Sequence, residues 1–166
     1  MTPAARPLTF RTARRDDLEA IVALLADDEI ARSRSGYAAA VTAASITAFA
    51  EIERDPSNEL LVGEQDAVIV ATLQLTYIPG LSRGGMRRAL VEAVRVRSDL
   101  RGQRIGERLM EAAMDRARQR GCSLIQLTTD LRRVDAHRFY QRLGFEATHA
   151  GMKRTLEPAG EGPDRE

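Results

Sequence analysis

Hydrophobic and polar positions in the first third of the chain follow two periods, and the change between them predicts where strands give way to helices. "LTFRTA" alternates with a period of two and predicts a first strand. "RRDDLEAIVALLADD" has helical spacing and predicts a helix capped by Thr12 or Asp16. Residues 30–41 follow neither period and predict an irregular segment. "TAASITAFAEIERD" then predicts a second helix that ends before Pro56.

The rest of the chain predicts strands followed by alternating helices and strands. "NELLVGE" and "AVIVATLQLTYI" predict a hairpin with its turn at "EQDA", and "RALVEAVRVRS" predicts a fourth strand after the loop "PGLSRGG". The next elements are a helix in "IGERLMEAAMDRARQR", a strand in "SLIQLTT", a helix in "DAHRFYQRL" and a strand in "FEATHAGMKRTLE". This order predicts one α/β domain (α+β mixed) over residues 1–157, with a disordered tail at 158–166.

Composition and charge disfavour several classes of function. The 166 residues are 43% hydrophobic and 30% charged, which is typical of a globular protein. A net charge of +1 and the absence of Trp disfavour a nucleic-acid partner, and no run approaches a membrane span. The single cysteine, Cys122, permits no intrachain disulfide, so a cytoplasmic location is expected. Cys122, His137 and His149 do not have zinc-ligand spacing, so no metal is expected.

The stretch "RGQRIGERLM", residues 101–110, places glycines and arginines where a strand gives way to a helix. A helix N-terminus presents unpaired N–H groups and the positive end of a dipole, and glycines let a backbone close around an anion. Such a turn can hold a phosphate, or it can be a plain strand–helix turn with solvated arginines. It is not a Walker A loop, because no Gly-Lys-Ser/Thr follows, and it lacks the Gly-x-Gly-x-x-Gly of dinucleotide sites.

Together with "AHRFYQRLGF", the stretch "VRVRSDLRGQRIGERLM" resembles the GNAT superfamily of acetyl-CoA-dependent N-acetyltransferases. Residues 101–106 correspond to the superfamily's pyrophosphate loop, Arg/Gln-x-x-Gly-x-Gly/Ala, with Arg104 in place of the first glycine. Its Ala-x-x-Phe-Tyr-x-x-x-Gly-Phe pattern is matched completely by Ala136, Phe139, Tyr140, Gly144 and Phe145. The resemblance implies a single-domain GNAT-like fold: a central mixed, mostly antiparallel sheet with splayed fourth and fifth strands, flanked by helices. Arg104 would still offer its N–H to a phosphate if its φ is negative.

The resemblance also implies where acetyl-CoA binds. The co-substrate would lie between the fourth strand, "EAVRV", and the fifth, "IQLTT", with pantetheine bonded to the backbone near Val94 and Val96. The N–H near Val94 would polarise the thioester carbonyl. The cofactor-binding residues expected on this basis are Val94, Arg95, Val96, Arg101, Gly102, Gln103, Arg104, Ile105, Gly106 and Phe139.

Glu92 is the first candidate catalytic residue. Strand alternation predicts Glu92, Val94 and Val96 on one face, and Ala93 and Arg95 on the other. An alkylammonium has a pKa of about 10 and only the neutral amine attacks a thioester, so a carboxylate here could act as general base. Family members often have an acidic residue at this place. Glu92 could equally pair with an arginine or orient the acceptor ammonium.

Tyr140 is the second candidate. Its helical spacing with Ala136, Phe139 and Leu143 predicts an inward face, which is also typical of a core aromatic. The resemblance implies that Tyr140 lies near the thioester sulfur and protonates the departing CoA thiolate. Tyr37 and Tyr77 are candidates to line the acceptor pocket.

The function implied is direct transfer of the acetyl group of acetyl-CoA to a primary amine of a small molecule or protein. The enzyme would have no nucleic-acid or membrane partner, and a homodimer is possible because dimers are common in the superfamily. A non-catalytic acyl-CoA-binding sensor or scaffold of the same fold is the alternative.

Overall fold

A computed structural model of the chain describes residues 7–28 and 39–156. By their contacts these residues fall into two compact units, within 1–128 and 129–166, and each is described by itself. The first unit contains a five-stranded sheet in the order β1-β2-β3-β4-β5, in which only β4 and β5 pair in parallel. The strands are β1 (Leu8–Thr12), β2 (Asn58–Gln65), β3 (Val68–Ile78), β4 (Arg88–Val96) and β5 (Leu124–Leu127). The predicted mixed, mostly antiparallel sheet is confirmed.

Three longer helices accompany this sheet in the described part of the first unit. They are α1 (Leu18–Ala26), α2 (Ala43–Arg54) and α3 (Ile105–Gln119). Short 3-10 helices at Arg15–Asp17 and Ser98–Leu100, and a helical turn at Ser82–Gly85, lie in the connections. Helix α2 begins with a capping box, in which Thr42 Oγ1 accepts from Ser45 N–H at 3.1 Å.

The start of the first helical segment differs from the predicted caps. Neither Thr12 nor Asp16 caps it; Arg14 precedes the 3-10 helix, and Asp17 accepts the Arg14 N–H at 2.7 Å. The Asp17 carboxylate also receives both Nη atoms of Arg11, at 2.7 and 2.9 Å. Asp17 takes the capping role because it alone satisfies an orphan N–H and a neighbouring guanidinium together.

The two faces of the sheet are covered by different helices. On one face Leu61, Leu73 and Leu75 are fully buried, as are Leu109 and Met110 of α3. On the other face Leu60 packs against Leu18, Val22 and Phe49 of α1 and α2. Because side chains alternate between the faces, the register of each strand determines which helices a side chain meets.

A buried polar cluster lies on the α3 face. Glu59 is 6% exposed, accepts hydrogen bonds from Tyr77 Oη at 2.8 Å and Thr12 Oγ1 at 2.7 Å, and is paired with Arg116. All its partners come from different elements, so the cluster ties β1, β2, β3 and α3 together. A buried carboxylate requires such partners, since burying it alone costs several kcal/mol or more.

The second unit contains α4 (Val134–Arg142), which ends at Gly144 with φ +86°. The strand predicted in "FEATHAGMKRTLE" is wrong for its described part: residues 145–156 form no strand, and Met152 and Leu156 are 95% and 82% exposed. Local alternation makes a strand possible, but a strand needs a neighbour, and this segment has none of the described ladder pairings. The predicted tail lies outside the described residues, and the single domain over 1–157 stays a prediction.

Candidate active site

The fourth and fifth strands separate part-way along their length. Their pairing ends at Val91 and Leu127, although β4 continues to Val96. Among the described residues, the β5-facing edge of β4 therefore has no strand partner from Glu92 onward. Arg97 N–H donates to Val70 C=O at 2.9 Å, so by alternation the backbone groups of Val96 point away from β3, into the gap. This is the splay expected between these two strands.

A β-bulge lies on β4 beside this gap. Glu92 is opposite Gln74 and Arg95 is opposite Thr72, so two residues of β4 face the single Leu73 of β3. Ala93, the extra residue, has φ +54°. The predicted alternation is wrong here: Glu92 and Arg95 share the face covered by α1 and α2. Val96, opposite Ala71, lies on the α3 face.

Glu92 is exposed on the α1/α2 face, and the described residues offer it no ion-pair partner. An apolar cavity of about 150 Å³ lies between α1, α2 and the sheet and reaches Gln74 and Ala93. The Glu92 carboxylate is thus a polar group beside an apolar cavity, at the place where the edge of β4 opens. A carboxylate in this position can take a proton from a group held against the bulge.

Arg95 and the end of α1 form a network that the sequence analysis missed. Arg95 Nη2 lies 3.0 Å from Asp28 Oδ2, and Arg95 Nη1 donates to Val94 C=O at 2.7 Å. Asp27 Oδ2 accepts from Ser98 N–H at 2.9 Å, and Asp27 C=O accepts from Arg101 Nη2 at 3.1 Å. Two aspartates at a helix C-terminus interact unfavourably with the helix dipole. Their position in the sequence therefore indicated that Asp27 and Asp28 have cationic or N–H partners elsewhere. The network fixes the end of α1 to the turn after β4.

The turn at residues 101–106 has the backbone of a phosphate cradle. Gly102 has φ +81° and a Cβ added to it would meet nothing within 4 Å. Helical bonding begins with Arg108 N–H to Arg104 C=O at 3.1 Å, so the N–H groups ahead of Arg108 lie outside the α3 ladder. Ile105 is buried and anchors the turn, and Gly106 is the second residue of α3. N–H groups at the positive end of a helix dipole are suited to bind phosphate.

Arg104 differs from the expectation. Its φ is +61°, so this residue adopts the left-handed conformation that glycine adopts most easily. The Arg104 side chain is 77% exposed and donates to both oxygens of Glu107, at 2.7 and 2.8 Å. Arg108 instead reaches β1, where its Nη2 donates to Leu8 C=O at 3.0 Å. The arginines around the turn are therefore engaged within the protein, and what the turn leaves available to a ligand is its backbone N–H groups.

Tyr77 lies in the core rather than in a pocket. It is 2% exposed on the α3 face, its hydroxyl donates to Glu59, and Arg120 stacks over its ring at 5.0 Å. Burial, and then the hydrogen bond to Glu59, raise the pKa of Tyr77 above its usual range. We therefore leave Tyr77 out of the acceptor pocket. Tyr37, the other candidate, lies outside the described residues.

Tyr140 and Phe139 lie together on α4 in the second unit. Their rings meet edge to face at 5.1 Å, and Tyr140 meets Phe145 in the same way at 5.8 Å. Both side chains are half-buried. His137 Nε2 lies 3.1 Å from Asp130 C=O, so this imidazole belongs to the start of the helix. The motif residues of α4 thus form one aromatic group.

Two absences apply to the described residues only. Residues 7–28 and 39–156 bring no three His, Cys, Asp or Glu side chains together in a way that would hold a metal ion. None of the helices within those ranges has the length and apolarity needed to cross a membrane.

Comparison with known proteins decides the family. The chain matches the acetyltransferase (GNAT) family over residues 18–145. It belongs to this family. A curated relative of this GNAT chain, the aminoalkylphosphonate N-acetyltransferase of Salmonella typhimurium, is 30% identical over 147 residues, which are 89% of the chain and 90% of the relative. The protein is accordingly an acyltransferase that transfers an acetyl group to an amine acceptor.

Solved structures share the fold. A transcriptional regulator from Bacillus halodurans is 46% identical, with a TM-score of 0.85 over 90% of this chain and 100% of that one. An aminoglycoside N-acetyltransferase in complex with CoA has a TM-score of 0.76 over 95% of this chain and 100% of that one, at 16% identity. The second likeness shows the fold alone. Both agree with the mixed α/β fold of this GNAT protein.

Proposed function

We propose that this GNAT enzyme transfers the acetyl group of acetyl-CoA directly to a primary amine, with Glu92 as the general base. The observation that carries the proposal is the β4 bulge beside the β4–β5 gap. Glu92, opposite Gln74, lies on the α1/α2 face immediately before the bulge, and from Glu92 onward the β5-facing backbone edge of β4 has no strand partner among the described residues. A proton acceptor and a row of backbone donors thus adjoin at one point of the sheet.

The fit of acetyl-CoA to the chain is supported by three backbone features. The turn at 101–106 offers N–H groups at the start of α3, Gly102 leaves open space beside them, and the edge of β4 faces the gap. Val94 C=O accepts from Arg95 at 2.7 Å and Val96 C=O from Arg101 Nε at 3.4 Å. Because both carbonyls already accept hydrogen bonds, we propose that pantetheine is bound by the N–H groups of these two residues.

The proposed reaction is a direct transfer. The acceptor ammonium loses a proton to Glu92, and its neutral nitrogen attacks the thioester carbonyl carbon to form a C–N bond. The C–S bond breaks, and the nitrogen releases its second proton to solvent as the amide forms. The thiolate that leaves receives a proton, and the family resemblance assigns this donor role to Tyr140. We assign Cys122 no role as a nucleophile, since partial burial raises the pKa of its thiol, the direction opposite to that of reactive cysteines.

The acceptor proposed is a small molecule rather than a protein amine. The support is the Salmonella relative, whose name gives aminoalkylphosphonates as its acceptors. A cytoplasmic location and a homodimer remain predictions from the sequence.

The test of the base is release of free CoA over a panel of amines, for the parent and for Glu92→Gln. We expect about 10²–10⁴-fold slower transfer in the variant, most at low pH, where the neutral amine is scarcest. Glu111→Gln is the matched control, because Glu111 is exposed on α3. A pH–rate profile of Glu92→Gln that runs parallel to the parent's would assign Glu92 a structural or positioning role.

The sensor alternative has a separate readout. Acetyl-CoA that binds in calorimetry but yields no free CoA with any amine would favour a non-catalytic acyl-CoA-binding protein. Tyr140→Phe tests the acid: we expect a lower kcat with little change in acetyl-CoA affinity, since the interaction would form mainly in the transition state. Full activity in a folded Tyr140→Phe protein would mean that the Tyr140 hydroxyl takes no part in the reaction and that the ring only packs against its neighbours.

A further inference from the structure

Arg88, the first residue of β4, carries a guanidinium without a partner. Its Nε is buried and makes no hydrogen bond, and among the described residues no carboxylate pairs with it. The neighbouring Arg87 and Arg120, by contrast, bond to the carbonyls of Arg120 and Pro56. Arg95 Nε is also buried without a hydrogen bond, but Arg95 pairs with Asp28 through Nη2, whereas Arg88 has no counter-charge among the described residues. Buried charged groups are normally paired, so Arg88 is the guanidinium of the two that can take an anion.

Arg88 lies on the same face of the sheet as Glu92. The register pairs Ile78 with Arg88 and Gln74 with Glu92, and residues an even number of positions apart on a strand before the bulge share a face. Four residues of extended strand separate the two Cα atoms by about 13 Å. A cation and an anion are thus set along one strand, on the face that carries the proposed base.

Polar side chains of β2 and β3 lie beside the stretch between these two groups, and Leu90 of β4 lies between Arg88 and Glu92 on the same face. On the neighbouring strands, Gln74 Nε2 and Thr76 Oγ1 both donate to Asn58 Oδ1, at 3.2 and 2.8 Å. All three side chains are half-buried. Leu60, which is opposite Gln74, joins the apolar cluster beneath α1 and α2, so the polar side chains lie at the border of that cluster. A ligand can therefore lie along the strand from Glu92 toward Arg88, over Leu90 and beside these polar side chains.

Gly80 lies beside the Arg88 guanidinium. A Cβ at Gly80 would lie 3.8 Å from Arg88 Nη1 and 3.9 Å from Ser82 Oγ, and 3.1 Å from the backbone oxygen of Met86. The charged Nη1 and the Ser82 hydroxyl are thus near each other at this loop, together with one carbonyl oxygen. Charge-assisted hydrogen bonds from a guanidinium are the usual means of holding phosphonate, phosphate or carboxylate oxygens.

We propose that Arg88 binds an anionic group of the acceptor, so that the substrate class is a primary amine bearing a phosphonate, phosphate or carboxylate several bonds away. This rests on the proposed acetylation of an amine at Glu92. The ammonium would lie at Glu92 and the anion at Arg88, and the opposite charges fix the direction of binding. The phosphates of CoA are not the expected partner, because their cradle follows Val96 at the other end of β4.

The experiment compares ω-aminoalkylphosphonates of increasing chain length with plain alkylamines of the same lengths. For the parent we expect kcat/KM about 10- to 100-fold higher for the best phosphonate, the range of a charged hydrogen bond. Arg88→Gln should lose this preference, so that its kcat/KM for the phosphonates falls to about its kcat/KM for alkylamines of the same length. Arg87→Gln is the matched control, since Arg87 is exposed, adjacent in sequence and outside the shared face. Ser82→Ala, a milder change in the loop, should reduce the preference only in part.

Two outcomes would overturn the assignment. One is equal kcat/KM for phosphonates and alkylamines in the parent; the other is an Arg88→Gln protein of unchanged melting temperature that retains the preference. A second readout needs no turnover: binding of an alkylphosphonate without an amine, followed by NMR, should weaken at least about tenfold in Arg88→Gln. If no amine is acetylated, the proposed function fails, and this titration still decides whether Arg88 is an anion site.

Discussion

We consider two variants, Arg104→Gly and Arg104→Ala, which together distinguish the effect of the backbone conformation at the turn from the effect of the Arg104 side chain. Arg104 has φ +61° and ψ 12°, and its guanidinium contacts Glu107. Both substitutions remove that contact, so its loss cancels when the two variants are compared. What remains is the conformational difference between alanine and glycine in the left-handed region.

The magnitude follows from that geometry. An L-residue in the left-handed region costs about 1–2 kcal/mol, whereas glycine loses only about 0.5–1 kcal/mol of additional chain entropy. The glycine variant should therefore have a free energy of unfolding larger than the alanine variant by about 0.5–1 kcal/mol. For a chain of this size the difference corresponds to about 1–4 °C in Tm. Chemical denaturation and thermal scans measure both quantities.

The same two variants test how the turn binds CoA. If backbone N–H groups form the cradle, calorimetry should give the parent's CoA affinity for Arg104→Gly. If the guanidinium binds a phosphate, both variants should bind about tenfold more weakly or worse. An alanine variant as stable as the glycine variant would refute the left-handed geometry, and a loss of affinity shared by both would refute the backbone cradle.

Three further predictions concern stability and the bulge. Hydrogen bonds from Arg11 lower the pKa of Asp17 in the folded protein. The ionised carboxylate therefore adds its full stability above the unfolded pKa of about 3.9, and this stability is lost as the pH falls through the lower folded pKa. Asp17→Asn should flatten the acid side of a stability–pH curve, and an unchanged curve would contradict the pairing. Tyr77→Phe should lower the free energy of unfolding by about 0.5–1.5 kcal/mol and leave the rate of acetyl transfer unchanged. A raised KM for the amine would instead show that Tyr77 lines the acceptor pocket. Ala93→Val places a β-branched side chain at a positive φ and should cost more than about 1–2 kcal/mol and slow acetyl transfer; parent-like unfolding and kinetics would argue against the bulge.

The periodic elements were predictable because local pattern and packing agree in them. The hairpin turn in "EQDA" has positive φ at Asp66 and Ala67, as a two-residue turn of matching twist requires. The bulge was missed: "VEAVRV" interrupts its alternation where Ala93 and Val94 are adjacent apolar residues, but the extra residue is an alanine rather than a glycine, and one such interruption is a weak signal. Its consequence was large, since one added residue exchanged the faces of every side chain that follows.

Other failures share a non-local cause. The C-terminal segment alternates, but no pattern within it says whether a neighbouring strand is present. Tyr77 follows the strand period, and only the register of β3 shows that it faces α3 and Glu59. In the sequence Arg88 resembles the many surface arginines. Only the three-dimensional structure shows that its Nε is buried without a hydrogen bond.

The separation of β4 from β5 gives an interior strand the properties of an edge. Interior strands are normally among the last amides to exchange with deuterium, yet those of β4 that face the gap should exchange early, while Arg97 N–H, bonded to Val70, stays protected. A ligand that fills the gap adds RT ln(1 + [L]/Kd) to the free energy of unfolding, about 2.7 kcal/mol at a hundredfold excess over Kd. The equilibrium between folded and unfolded protein thereby depends on the concentration of the ligand that occupies the gap.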